Sequence, residues 1–426
     1  MLKSIFVLFV AASPVFGENH SLTLKQAVGV ALEQSPDIVL SRLDEQKAKA
    51  AIRVARDPFT PKVFAGSGAA KVWGYPGAIE GSAPSIIQSR TDMALFNRPK
   101  SYELARVRET ARGAAITTEA KADEAAYQVA SQYIDVQQLA RSAASLALEV
   151  ESLERVASAM QLRIEEGREL PIESKRVAVD LARARQRSEA LQDDLDYARA
   201  SLSVVLGFSA GDRVLPVDDD ARTFEVPASE EAARALALEN NKDLRKIQSQ
   251  LVAKGFEVKE YGLAGRLPTI DLVAQYALFA KNQYQAFFNR VQRNNTELGA
   301  SISIPILPGS AGKGFREQAL DDVQELKTQM QQTRNRIDLD VQHSYEEMRK
   351  AASAREVARL DLDYAREQVS VLLAQLEEGR ATQQRIDDAR LNEQEKWIAY
   401  YDTQRTVEKA RLDVLRQTGT LRAALR

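Results

Sequence analysis

Few residues in this sequence are of the kind that make or break bonds. Cysteine is absent, and histidine occurs only at His20 and His343. Neither histidine has a neighbouring ligand pattern, so the spacing supports no thiolate or imidazole metal site. No catalytic-triad spacing and no paired acid and base is visible. Gly309-Ser310-Ala311-Gly312-Lys313-Gly314 matches a phosphate-binding loop only loosely. It lacks the spacing and the Ser or Thr after Lys, and it reads as a turn before a long helical stretch. Trp397, Tyr400 and Tyr401 read as packing residues. What remains is charge: the acids Glu173, Asp387 and Asp388, and the pairs Gly167-Arg168 and Gly379-Arg380. Such residues attract or repel ions and pair with opposite charges on a partner. What they can do depends on the elements that hold them.

Those elements are long helices. Leu146, Val150, Leu153, Ala157, Met160 and Ile164 recur in alternating steps of 4 and 3. Val177, Leu181, Ala184, Ser188, Leu191, Leu195, Ala198, Leu202 and Val205 do the same. That is a coiled-coil seam. Between the two runs lies Glu165-Glu166-Gly167-Arg168-Glu169-Leu170-Pro171. Glycine can close one helix and proline can open the next, so the stretch predicts an antiparallel hairpin.

The pattern occurs twice. Glu377-Glu378-Gly379-Arg380 repeats Glu165-Glu166-Gly167-Arg168 at an offset of 212, which also carries Ala198-Arg199 to Ala410-Arg411 and Gly207 to Gly419. Ala31-Leu32-Glu33 and Asp37 return as Ala237-Leu238-Glu239 and Asp243 at an offset of 206. Matches in order at nearly constant offsets predict two copies of one unit. The expected division is a first repeat over 18–206, a linker over 207–227 and a second repeat over 228–426.

Proline marks where long helices can run, because an interior proline breaks them. None occurs between Pro99 and Pro171, or after Pro308. The predicted hairpins span 99–206 and 315–419, with first arms of roughly 100 Å at 1.5 Å per residue. Shorter helices are expected over 23–57, kinked or broken at Pro36, and over 229–261. The segment 207–227, with Gly211, Pro216, Asp218 to Asp220 and Pro227, reads as irregular. Ile270 to Ala280 and Leu298 to Ile306 alternate apolar with other residues and predict two strands with one apolar face each. A weaker pair is expected within 62–97, and the second pair within 269–306.

At the N-terminus, Lys3, the apolar run Ile5 to Ala12 and Ser13 to Gly17 predict a secretory signal peptide over 1–17. The missing cysteine excludes a lipid-modified Cys at the new N-terminus. Net charge is -2 with no basic block, which gives nucleic-acid binding no support. Hydrophobic content of 44% and charged content of 28% fit a folded chain. No apolar run is long enough for a membrane-spanning helix.

Four strands cannot close a barrel within one chain, and an open sheet in a bilayer leaves backbone groups unsatisfied. Sharing a barrel among three chains gives about 12 strands. In its duplicated helix-strand-strand-helix order and glycine-marked hairpins, the chain resembles the TolC-like outer membrane efflux proteins over nearly all its mature length. The resemblance implies a fold that is mainly α with a small β part. It implies a homotrimer with a 12-stranded barrel in the outer-membrane lipid of a Gram-negative cell, continued by an α-helical coiled-coil barrel in the periplasm.

It further implies a passive exit duct, not an enzyme and without cofactor, serving a tripartite pump or type I secretion system. Partners would be a periplasmic adaptor (membrane fusion) protein and an inner-membrane transporter. By the same resemblance, Gly167, Arg168, Gly379 and Arg380 mark adaptor-contact tips, although Arg stands where the family usually has Leu. Glu173, Asp387 and Asp388 would line or latch the periplasmic aperture, with Asp388 forming a ring of carboxylates about a threefold axis. Arg385 occupies a position where relatives carry an acid. A periplasmic coiled-coil adaptor or structural rod is the competing reading, and the apolar strand faces argue against it.

Overall fold

The computed structural model describes residues 18–68, 85–167, 170–209, 211–217, 224–279, 292–307, 309–378 and 380–425. The expected leader 1–17, the loop stretches 69–84 and 280–291, and Asp218 to Asp220 lie outside them. In chain order the elements are β1 (Asn19–Leu22), α1 (Leu24–Gln34), α2 (Pro36–Arg56), β2 (Lys62–Gly68), β3 (Ser85–Phe96), α3 (Arg98–Glu165) and α4 (Pro171–Leu206). Then come β4 (Arg213–Pro216), α5 (Glu230–Asn240), α6 (Lys242–Leu263), β5 (Thr269–Phe279), β6 (Asn294–Ser303), α7 (Ala311–Glu377), α8 (Gln383–Gln417) and the short α9 (Leu421–Ala424).

The helix expected over 23–57 is broken between α1 and α2. Ser35 is driven out of helical geometry, with ψ 128, because it precedes Pro36. Thr23 starts α1 with a capping box shared with Gln26. The helix expected over 229–261 is also two, α5 and α6, and here no proline is involved. Asn241, with ψ 122, marks the break, and asparagine competes with the helix for backbone hydrogen bonds. Ser229 caps α5 by accepting from the Ala232 amide.

The chain forms two compact units, one of residues 1–40, 119–242 and 334–426, the other of 41–118 and 243–333. In the first unit Ala27 and Ala31 of α1, Val129 and Tyr133 of α3, Leu202 and Leu206 of α4, Val214 of β4, and Leu412 and Leu415 of α8 share one core. The stretch 207–227 is not irregular throughout. Its strand β4 pairs parallel with β1, from Asn19↔Arg213 to Leu22↔Pro216. Four residues are too few to show alternation, which is why the sequence does not announce this strand.

Two tyrosines at repeat-equivalent positions, 212 residues apart, anchor the segments that lead into the short helices. The buried Tyr133 hydroxyl lies 3.1 Å from the Leu22 carbonyl and 3.0 Å from that of Val217. It can donate to one of them at a time. The Tyr345 hydroxyl donates to the Pro227 carbonyl at 2.7 Å.

The second unit contains an antiparallel sheet in the order β2-β3-β5-β6. Directly paired residues share a face. Ile270↔Ile302, Leu272↔Ala300 and Ala274↔Leu298 are paired, as are Met93↔Leu272 and Ile87↔Leu278 and Val63↔Thr91. That face is apolar. The other carries Asp271, Gln275 and Glu297 with Arg90 and Asp92 and Lys62. On the apolar face Val63, Leu298 and Ile302 are more than half exposed. Strands β2 and β6 are the two edges of this sheet.

The same duplication sets the hairpin ends of the first unit. Gly207 closes α4 at φ 90, and a Cβ there would meet the Gln34 carbonyl oxygen at 2.7 Å. Gly419 follows α8 at φ 68, where a Cβ would meet Asn240 at 2.8 Å. Gly167 has φ 74 with open space around it. We expect Gly167→Ala to cost about 1–2 kcal/mol, the left-handed backbone alone. Gly207→Ala and Gly419→Ala should each cost more, about 3 kcal/mol, because overpacking adds to the strain. Thermal melts followed by circular dichroism check the order; equal losses at all three glycines would refute it.

Candidate functional site

The candidate residues sit where the long hairpins turn. In the first hairpin α3 ends at Glu165, and the Gly167 amide donates to the Ile164 carbonyl at 2.9 Å. Pro171 then occupies the first position of α4, where its missing N–H costs nothing. In the second hairpin the Arg380 amide donates to the Gln375 carbonyl at 2.8 Å, and Thr382 precedes α8. Arg168 and Gly379 lie outside the described residues.

The Arg380 guanidinium pairs with Glu378 within the turn at 3.1 Å, with both side chains well exposed. Such a pair contributes little to stability, because water competes for both charges. The first turn also presents apolar side chains that the glycine pattern does not reveal. Leu170 and Ile172 are 67% and 61% exposed.

The two neighbouring acids of α8 face different helices. Asp388 accepts from the Arg176 guanidinium of α4 at 3.1 Å. Asp387 lines a groove with Ser152, Arg155, Val156, Met160 and Arg163 of α3. Glu173 is half-buried near the start of α4. Among the described residues its carboxylate has no hydrogen-bonding or ionic partner, so it does not share the contact of Asp388. Arg176 was not singled out in the sequence. The available signal was its place in the repeat, since it stands 212 residues before Asp388.

Further along the hairpin a carboxylate interrupts the seam. Glu149 of α3 is 2% exposed, between the seam positions Leu146 and Leu153. One oxygen accepts from Arg187 of α4 at 3.0 Å, and the other has no hydrogen-bond partner. Burial raises its pKa above the ordinary 4.5, Arg187 pulls it back, and Glu395 pushes it up again. Among the described residues no group of three His, Asp or Glu side chains is placed to hold a metal ion. No described helix is long and apolar enough to cross a membrane.

The sequence profile described as "Outer membrane efflux protein" matches residues 233–425. No curated protein matches the chain. Several solved structures share the fold at low identity. A membrane protein from Pseudomonas aeruginosa superposes with a TM-score of 0.77 at 16% identity, covering 93% of each chain. The outer membrane protein VceC from Vibrio cholerae gives 0.74 at 13% identity, over 93% of this chain and 96% of that one. The MtrE outer membrane channel from Neisseria gonorrhoeae, solved in its open state, gives 0.72 at 14% identity, over 93% and 89%.

The fold is therefore the one these outer membrane proteins share, mainly helical with a small sheet. The resemblance in sequence to the outer membrane efflux protein family lies in the second repeat; over the rest of the chain the likeness is one of fold.

The buried Glu149 gives a signed pH dependence. A carboxyl whose folded pKa is raised binds its proton more tightly when folded. Its favourable contribution is complete below about pH 4.5, the unfolded value, and is lost as pH rises through the folded pKa. Glu149→Gln cannot ionise, while Arg187 is half exposed and stays hydrated without it. We expect the melting temperature of Glu149→Gln relative to wild type to climb from pH 4 to pH 8. A difference that is constant with pH would show that Glu149 does not titrate as described.

Proposed function

We propose that three copies of this chain close their sheets edge to edge into a 12-stranded outer-membrane barrel. The assembly is the passive exit duct of a tripartite efflux pump or type I secretion system. The observation that carries this reading is the four-stranded sheet with one apolar face and two open edges, β2 and β6. An apolar face suits lipid, and lipid leaves no edge unpaired, since no water is there to satisfy the backbone. Pairing β6 of one copy with β2 of the next satisfies both edges without a new element. The chain has no chemistry of its own in this role; energy comes from an inner-membrane transporter.

The turns carry the contacts. Gly167, Arg168, Gly379 and Arg380 form the tips on which a periplasmic adaptor seats, and the exposed Leu170 and Ile172 give the first tip an apolar surface to cover. Glu173, Asp387 and Asp388 border the periplasmic aperture just behind those tips. The division into two repeats, 18–206 and 228–426, supplies six such hairpins per trimer, alternating in kind.

Negative-stain microscopy of the protein extracted from membranes in detergent tests the duct. We expect threefold particles with a detergent belt at one end and a tube of about 100 Å, the span of a helix of this length. Thin monomeric rods recovered from the periplasm without detergent would overturn the reading in favour of a periplasmic adaptor or scaffold.

A further inference from the structure

The two hairpins differ in one systematic way. At the turn itself charge is repeated: Glu165, Glu166 and Arg168 correspond to Glu377, Glu378 and Arg380. Just beyond the turn, charge is reversed. From Glu173 to Asp193, each position that is charged in both repeats has opposite signs in the two. The pairs are Glu173 and Arg385, Lys175 and Asp387, Arg176 and Asp388, Arg183 and Glu395, and Asp193 and Arg405. Like signs resume at Asp196 and Glu408 and at Arg199 and Arg411.

One of these reversed pairs is seen in contact, Arg176 with Asp388 at 3.1 Å. Both side chains are about half exposed. In water such a pair stabilises a fold very little, so its main physical consequence is the field it cancels. The start of α4 carries Glu173, Lys175 and Arg176; the start of α8 carries Arg385, Asp387 and Asp388. Their formal charges sum to zero within one chain. A ring of any number of copies is then neutral at this level.

We propose that Arg176 neutralises Asp388 at the periplasmic aperture, so that the aperture does not sort solutes by the sign of their charge. Arg176 is thus a specificity-determining residue. A ring of uncompensated carboxylates favours cations and excludes anions; pairing each with a guanidinium removes that bias. The solutes this suits are neutral, zwitterionic or of either sign, not cations alone. The inference rests on the reading above that Asp388 borders the conducting path.

The test is the K⁺ to Cl⁻ permeability ratio of the purified full-length protein in planar bilayers, from reversal potentials in a KCl gradient. Wild type is compared with Arg176→Ala, Arg176→Gln, Arg176→Lys, Asp388→Ala and the double Arg176→Ala/Asp388→Ala variant. Light scattering first establishes that each assembles as wild type does. The Gln variant keeps the measurement available if Ala disturbs the hairpin.

Removing Arg176 by Ala or Gln should raise the ratio, on the order of twofold or more, by exposing three carboxylates. Asp388→Ala should lower it, the double variant should return to the wild-type value, and Arg176→Lys should stay there. If Asp388→Ala lowers the ratio but loss of Arg176 leaves it unchanged, Asp388 borders the path without being neutralised; the inference falls and the aperture reading stands. If loss of Arg176 raises conductance at an unchanged ratio, the pair is a mechanical tie, and the inference falls. If neither residue affects the ratio or the conductance, the aperture reading itself is wrong and the inference falls with it.

Discussion

A β-sheet edge cannot be left to lipid. Each residue of an edge strand presents backbone donors and acceptors, and hydrocarbon offers them nothing. This sheet has two such edges, β2 and β6, and one face built from Ile270, Leu272, Leu298 and Ile302. In water the apolar face is the liability; in a membrane the edges are. Only joining copies edge to edge removes both at once. Self-association is therefore a requirement of the sheet in a bilayer, and a chain built from two repeats supplies two strand pairs to the join.

Duplication also explains how the first unit is held. Tyr133 and Tyr345 occupy equivalent positions, and each reaches the backbone just ahead of its repeat's first short helix. Gly207 and Gly419 are equivalent too, and each lies against the end of that helix, at Gln34 and Asn240. Anchoring a long hairpin at its base fixes where its far end is presented. A small error of angle at the base grows with distance along the helix, so close contact at the glycines and a hydrogen bond at each tyrosine are reasonable places for the fold to be exacting. The glycines permit both the positive φ and an approach that a Cβ would block.

The long helices were legible because their signal is redundant: a 4–3 seam over many turns, with proline excluded. The strands were legible where alternation was long, as in β5, and blurred where it was short. β6 ends at Ser303, so Ile304 and Ile306 continue an alternation without continuing the strand. The pair β1 and β4 was hidden, being four residues long and joined across nearly the whole first repeat. The break at Asn241 was hidden because no proline marks it.

Of the site, the turns were readable from Gly167 and Pro171. The partner of Asp388 was not, because a salt bridge between helices depends on which faces meet. Glu149 was passed over for a related reason. A period count records apolar residues, and the buried position beside Val150 holds a carboxylate whose partner, Arg187, comes from the other arm.

The reversal of charge between the repeats shows what duplication allows at a surface. Core positions of two copies must stay alike, since both pack against the same kind of neighbour. Exposed positions are free of that demand, but when two copies of a helix face each other, equivalent residues meet. If their charges are alike they repel; if one copy reverses sign, every meeting becomes attractive. Arg176 and Asp388 are such a meeting. The change needs no new backbone and little stability, because exposed pairs contribute little either way. What it alters is the potential. A homotypic ring of identical helices would concentrate one sign of charge at its axis. Two diverged repeats in each chain let the same architecture hold that potential near zero. In the first turns of α4 and α8 the charges are opposite residue by residue, while the glutamates ahead of both glycines share a sign.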